Sequence, residues 1–112
     1  MNIRRLFLAL LVCASLPASA QFRTVERGIE VALSNLQVPA NTSGSLIFKE
    51  CSNCESTFIP MTNQTLFIVN GKSVGLKKFR KDVFRIRDRE RVTVIVMHHL
   101  ESNTVTAVSV NI

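Results

Sequence analysis

The alternation of apolar and polar residues predicts a chain built mainly from β-strands. Apolar residues alternate with polar ones over 29–38 and again over 45–50, which is typical of strands with one buried face. The spacing over 29–38 also fits one face of a helix, but Pro39 directly after it favours an extended segment. Two β-rich runs, at 91–100 and 104–112, flank a short polar turn and predict a closing hairpin.

The middle of the chain predicts a second hairpin followed by a short helix. The segment 65–74 is interrupted by Asn70-Gly71, a pair that suits a type I′ turn because both central residues need a positive φ. Residues 56–61 form a weaker strand candidate, which Pro60 restricts to a sheet edge or a bulge. Helical spacing of apolar residues then predicts a helix over about 76–84. The apolar residues at this spacing are Leu76, Phe79, Val83 and Ile86.

The order of these elements predicts the fold class. Short connections between strands favour a mainly β, predominantly antiparallel domain of about five to six strands with one short helix. We expect a small barrel or sandwich, and closure is favoured because it removes exposed sheet edges. A helix inserted before the last two strands is typical of the OB arrangement, a small Greek-key barrel.

The first twenty residues predict export. Arg4 and Arg5 precede an apolar run over 6–14, and Ala18-Ser19-Ala20 has the small residues of a cleavage site. The apolar run is too short to cross a bilayer core of about 30 Å as a helix. We therefore predict a signal peptide over 1–20, cleavage after Ala20, and a periplasmic or secreted protein.

Cleavage at this site defines the domain organisation. The remaining chain is predicted to have a flexible lead-in over 21–28 and a single β-rich domain over 29–112, without a transmembrane segment. The formal net charge of +6 falls to +4 once Arg4 and Arg5 are removed. Residues 72–91 hold nine basic and three acidic side chains, so the rest of the mature chain is slightly acidic.

This basic stretch is the strongest candidate for a binding surface. The residues proposed to form it are Lys77, Lys78, Arg80, Lys81 and Arg85. An amphipathic, cationic helix suits an anionic lipid, a lipopolysaccharide or another polyanion. The alternative is a solvated face over the core. Nucleic acid is disfavoured, because export separates the protein from it and every aromatic residue is a phenylalanine, mostly within core-forming runs.

Cys51 and Cys54 form a C-x-x-C motif with three alternative chemistries. Outside the cytoplasm two such thiols usually oxidise, which favours a local disulfide. A redox pair needs a thiol at a helix N-terminus, and the Glu55-Ser-Thr segment that follows does not start a convincing helix. A metal site is the third alternative, and it needs ligands from elsewhere in the chain.

His98 and His99 are the candidates for those further ligands. Two cysteines and one histidine offer donors that zinc accepts. Neighbouring residues on a strand point to opposite faces, so only one histidine could join the cysteines, and a fourth ligand is not identified. The alternative is that one histidine packs near the end of the barrel and the other faces water.

The sequence offers little for catalysis. Its only aspartates, Asp82 and Asp88, lie within the basic stretch, where pairing with a cation is the ordinary outcome. The chain contains neither a glycine-rich phosphate loop nor a G-x-S-x-G elbow. We therefore predict a non-enzymatic binding or accessory module with no catalytic residue and no cofactor. The rival hypothesis is a metal-binding or thiol-redox module that uses the C-x-x-C motif and a histidine.

Three features follow one another over 44–112. They are a glycine-led strand that runs into Cys51 and Cys54, a threonine-led strand with its glycine turn, and the closing hairpin. In this order they resemble a group of small exported bacterial proteins of uncharacterised function. The resemblance implies export and a β-rich fold, and it brings no catalytic residue. In that group the hairpin often carries Tyr-Asp before its turn, where this chain has Met97-His98-His99.

Overall fold

A computed structural model describes residues 25–112, so the predicted signal peptide and the first half of the predicted lead-in lie outside the described residues. The strands are β1 (Glu26–Ala32), β2 (Leu36–Gln37), β3 (Ser45–Phe48), β4 (Thr57–Val69), β5 (Lys72–Val74), β6 (Thr93–His99) and β7 (Thr104–Val110). One α-helix, α1 (Leu76–Phe84), follows β5, and a 3-10 turn (Leu33–Asn35) separates β1 from β2.

The seven strands form one curled sheet in the shape of a half-barrel. Its order is β1-β6-β7-β4-β3-β2, with the short β5 also paired to β4. Every pair is antiparallel except β4 with β7. The mainly β class is therefore confirmed, with a single α-helix within residues 25–112, and the strand count in this part of the chain exceeds the predicted five to six.

The connectivity of the sheet follows the OB arrangement. The 3-10 turn joins β1 at one end of the strand order to β2 at the other, so these two strands act as halves of one bent strand. If β1 and β2 are counted together as the first strand and the short β5 is left out, the second to fifth strands are β3, β4, β6 and β7. The first strand then pairs with both the second and the fourth, and the third pairs in parallel with the fifth. The helix lies between the third and fourth strands, as the sequence predicted.

The bend after β1 corrects the predicted strand over 29–38. Leu33 and Leu36 are both buried, a spacing of three that a straight strand cannot place on one face. The 3-10 turn allows it, and the Leu33 amide donates a hydrogen bond to the Val92 carbonyl at 2.8 Å. The strand also begins earlier than predicted, because Glu26–Gly28 pair with the end of β6.

The long strand β4 joins two segments that the sequence separated. Residues 57–60 pair with β3, and residues 66–69 lie between β5 and β7. Pro60 directly precedes Met61, where the pairing of β4 with β7 begins. Proline has no amide hydrogen to donate, and at this position none is needed for the hydrogen bonds between β4 and β7. Between Met61 and Leu66 the register shifts by a bulge, and the buried Thr65 donates from its hydroxyl to the Val105 carbonyl at 2.6 Å.

Both predicted hairpins are present. Asn70 and Gly71 connect β4 to β5 with φ values of 51° and 80°, the left-handed conformations that a type I′ turn requires. The Asn70 amide donates to the carbonyl of Val110, which ties this turn to the last strand. Strands β6 and β7 form the closing hairpin, slightly shorter at its outer ends than predicted.

A single apolar cluster fills the concave side of the sheet. It includes residues from β1, β3, β4, β6 and β7, together with Phe79 and Val83 of α1. The helix therefore packs against the same core that the strands enclose. Its position leaves one side of the helix in solvent, where the predicted binding residues lie.

Candidate anion-binding surface

Two apolar anchors hold α1 on the sheet. Phe79 is completely buried, and its ring centroid lies 5.3 Å from that of Phe67 in β4. Val83 follows one turn later and is also buried. The first turn is closed by a hydrogen bond from the Phe79 amide to the Gly75 carbonyl at 2.9 Å. Because Phe79 and Val83 define the inner side of α1, the opposite side is fixed in solvent.

The solvent side of α1 is cationic. Lys77, Lys78, Lys81 and Arg85 line one shallow depression, and we call these four residues the basic face. Residues three and four apart are neighbours on a helix surface, which brings Lys81 next to both Lys77 and Lys78 and next to Arg85. All four side chains are exposed. Four cations thus lie together on one continuous surface.

One acidic residue lies beside the basic face. Asp82 lines the same depression, and its carboxylate is 3.4 Å from the Lys78 ammonium group. Within residues 25–112, no other carboxylate forms an ion pair with any member of the basic face. Lys77, Lys81 and Arg85 are therefore without an anionic partner in this part of the chain, which favours an anion from outside it.

Arg80, the fifth residue of the predicted set, is also exposed. It lies on the neighbouring flank of α1 and lines a different groove, between the helix and β2. Leu36, Val38 and Val83 form apolar walls of this groove. Arg89 also lines it and donates from its guanidinium group to the Val83 carbonyl at 2.8 Å. The five residues predicted from the sequence therefore divide into the basic face and one arginine beside an apolar groove.

Phe84 is a residue that the sequence analysis missed. It ends α1 with 85% of its surface exposed, more than any other large apolar residue in the described part of the chain. The preceding Val83 is buried, so the two adjacent apolar residues have opposite environments. The available signal was the helical spacing of Phe79 and Val83, since position 84 falls outside the face that they define.

Cys51 and Cys54 form a disulfide in the loop between β3 and β4. Their Cα atoms are 5.0 Å apart, within the usual range for such a bond. The Cys54 amide donates to the Cys51 carbonyl at 3.1 Å, so the four residues form a closed turn. No helix starts after Cys54, since β4 begins at Thr57. The predicted local disulfide is therefore present.

His98 and His99 are held by the β6–β7 hairpin instead of by the cysteine loop. The His98 Nε2 atom lies 2.8 Å from the Asn103 side-chain oxygen. The His99 Nδ1 atom accepts from the Ser102 amide at 3.2 Å and lies 2.9 Å from the Ser102 hydroxyl. Both rings are half-buried, so neither of the two environments that the sequence suggested describes them fully.

The structure does not bring the cysteines and histidines together. Among residues 25–112, no group of three or more histidine, cysteine, aspartate or glutamate side chains is placed to hold a metal ion. The two aspartates are engaged in ion pairs, Asp82 with Lys78 and Asp88 with Arg91, each at 3.4 Å. The chemistry that this part of the chain does concentrate is positive charge on α1.

The curled sheet and the basic face together define a small β-barrel-like domain with a cationic helix on its surface. No helix within residues 25–112 combines the length and the apolar character needed to span a membrane. No protein family, curated protein or solved structure matches this chain. An inference about function therefore has to be based on the residues of the surface itself.

Proposed function

We propose that this protein is an exported, non-enzymatic binding module that contacts an anionic partner at the cell envelope. The partner is a lipid, a lipopolysaccharide or another polyanion, and the contact is made by the basic face. The observation that carries the proposal is the grouping of Lys77, Lys78, Lys81 and Arg85 on one exposed surface with only Asp82 beside them. The resemblance to small exported proteins supports the same localisation.

The arrangement of charges favours binding in one orientation. The basic stretch has an excess of six positive charges, while the rest of the predicted mature chain is slightly acidic. An anionic surface therefore attracts α1 and repels the remainder of the domain. Each lysine or arginine near an anionic membrane contributes about 1 kcal/mol, so four contribute about 4 kcal/mol at moderate ionic strength. That energy supports reversible, salt-sensitive binding.

Rigid placement on the fold also favours a binding role. Phe79 and Val83 fix α1 on the sheet, so the helix that carries the four cations does not have to be ordered when a partner binds. A preorganised surface avoids part of the entropy cost of association. In the Lys78–Asp82 pair the lysine side chain is exposed, and a pair of this kind contributes little to stability. The charge of Lys78 therefore remains accessible to a partner.

A vesicle sedimentation experiment tests the proposal. The purified protein is mixed with vesicles of phosphatidylglycerol and phosphatidylcholine in equal parts, or of phosphatidylcholine alone, over a series of salt concentrations. We expect binding to the anionic vesicles only, decreasing as salt rises because the charges are screened. A soluble polyphosphate is tested in parallel, which separates a lipid surface from a polyanion in solution.

Two variants with the same net charge sharpen this test. In the first, the four residues of the basic face are replaced by alanine. In the second, four cations elsewhere, Arg27, Lys49, Lys72 and Arg91, are replaced by alanine. The first variant should lose binding and the second should retain most of it. Equal losses would indicate attraction by net charge alone, and absence of binding at low salt would refute the proposal.

A further inference from the structure

Within residues 25–112, the exposed side chain of Phe84 contributes little to the packing of the fold. It lies at the end of α1 with 85% of its surface in solvent, next to the buried Val83. A phenylalanine ring this exposed gains little from packing and keeps a large apolar area in water. The core of the domain is complete without it. Its placement therefore calls for a partner that can cover an apolar ring.

Cations surround this ring on the helix surface. Phe84 lies three residues after Lys81, four after Arg80 and seven after Lys77, and these spacings bring side chains next to one another on a helix. All three cations are exposed, and within residues 25–112 none of them forms an ion pair. An apolar ring bordered by positive charges is complementary to a surface in which anionic groups cover an apolar layer, as in a bilayer of anionic lipids.

Apolar surface continues from Phe84 into the adjacent groove. Phe84 lines this groove together with Leu36, Val38 and Val83, and Arg80 and Arg89 supply its positive charge. The apolar part of this region is thus larger than one ring and is bordered by arginines. A soluble polyphosphate could neutralise the cations but has no apolar phase to cover the ring.

We propose that Phe84 is a membrane anchor and that the partner of the basic face is an anionic lipid bilayer. Phe84 enters the boundary between headgroups and acyl chains, while Lys77, Arg80 and Lys81 contact the lipid phosphates. Interfacial helices likewise place apolar side chains about 5–10 Å deep and keep their cations at the headgroups. In α1 the inserted part is Phe84, because Phe79 and Val83 face the core. The inference rests on the proposed function and specifies its partner.

The composition of the chain permits a direct test. The protein contains neither tryptophan nor tyrosine, so Phe84→Trp introduces a single fluorophore at the proposed anchor. With phosphatidylglycerol-containing vesicles, we expect its emission to shift to the blue and to be shielded from a water-soluble quencher. The matched control is Phe58→Trp, on the outer face of β4 at the end far from the Asn70-Gly71 turn, where Phe58 is 62% exposed. Its emission should remain that of a residue in water.

A second variant measures the contribution of the ring to binding. Phe84→Ala should bind anionic vesicles about tenfold more weakly, as expected for withdrawing part of an aromatic side chain from the lipid boundary. Its binding to soluble polyphosphate should be unchanged, because the cations remain. Circular dichroism of the variant confirms that the domain is folded before binding is compared.

The outcomes separate the two proposals. Vesicle binding with an unshifted emission of the Phe84→Trp variant, together with full affinity of Phe84→Ala, would overturn the anchor and leave the binding role of the basic face intact. Quenching of the tryptophan in Phe84→Trp by a single-stranded oligonucleotide, with no response to vesicles, would overturn the anchor in favour of stacking on a base. Binding to soluble polyphosphate without binding to vesicles would overturn the anchor alone, and absence of binding to both would overturn both proposals.

Discussion

Replacing Phe79 by alanine should detach α1 from the sheet. The ring is completely buried and packs 5.3 Å from the ring of Phe67, measured between centroids. Truncation of a buried phenylalanine costs about 3–5 kcal/mol, and an aromatic pair of this geometry adds to the loss. We therefore expect the free energy of unfolding to fall by about 4 kcal/mol, a large part of the roughly 5–15 kcal/mol typical of a small domain.

The same helix supplies a matched control for this prediction. Phe84 lies five residues further along α1 and is 85% exposed, so Phe84→Ala should change the free energy of unfolding by less than about 0.5 kcal/mol. Since the chain has no tryptophan or tyrosine, unfolding in urea is followed by far-ultraviolet circular dichroism. Phe79→Leu, expected to cost about 1 kcal/mol, gives a measurable transition if Phe79→Ala does not fold.

The comparison tests the orientation of the helix, on which both proposals depend. Similar losses for Phe79→Ala and Phe84→Ala would mean that α1 does not bury the Phe79 side. A larger loss for Phe84→Ala would mean that the helix is rotated and that the basic face is turned toward the core. Either result would refute the assignment of Lys77, Lys78, Lys81 and Arg85 to one solvent surface.

Two further stability measurements test the loop and the bulge. Replacing Cys51 and Cys54 by serine should lower the free energy of unfolding by about 2 kcal/mol, because the disulfide closes a loop of only four residues. Vesicle binding should persist in this variant. Alkylation of the isolated wild-type protein should label neither Cys51 nor Cys54, and labelling of both would contradict the disulfide. Thr65→Val should cost about 1–3 kcal/mol, since the Val105 carbonyl and the Thr62 amide lose their partner. Thr65→Ser keeps the hydroxyl and should cost less, and equal stability of all three proteins would contradict this role.

The predictability of the fold differed between its elements for physical reasons. The helix over 76–84 and the Asn70-Gly71 turn were predicted correctly, because helical spacing and positive φ are local requirements that particular residue types meet. The segment 29–38 was predicted as one strand and is bent at a 3-10 turn. That bend depends on hydrogen bonds to Val92 and Arg89, which are distant in sequence.

The candidate site was predicted in part. The charge excess of the basic stretch is a property of composition, and helical spacing allowed most of it to be assigned to one side of α1. The separation of Arg80 from the basic face depends on the groove that β2 forms with the helix. Helical spacing places position 84 outside the face that Phe79 and Val83 define, but whether another element covers the Phe84 ring is decided by the tertiary structure. The metal alternative required the cysteine loop and the β6–β7 hairpin to meet, and that too is decided by topology.

By itself, the sequence determined the strand-rich class, the helix, both hairpin turns and the concentration of cations, because each follows from the properties of residues close together in the chain. It also carries the prediction of export, which lies in residues outside the described structure. The tertiary structure alone decided that β4 pairs in parallel with β7, that β1 and β2 join the two ends of the curled sheet, and that Phe84 is left in solvent among lysines and arginines. These outcomes depend on which distant segments share one core, and burial of apolar surface across the whole domain selects that arrangement.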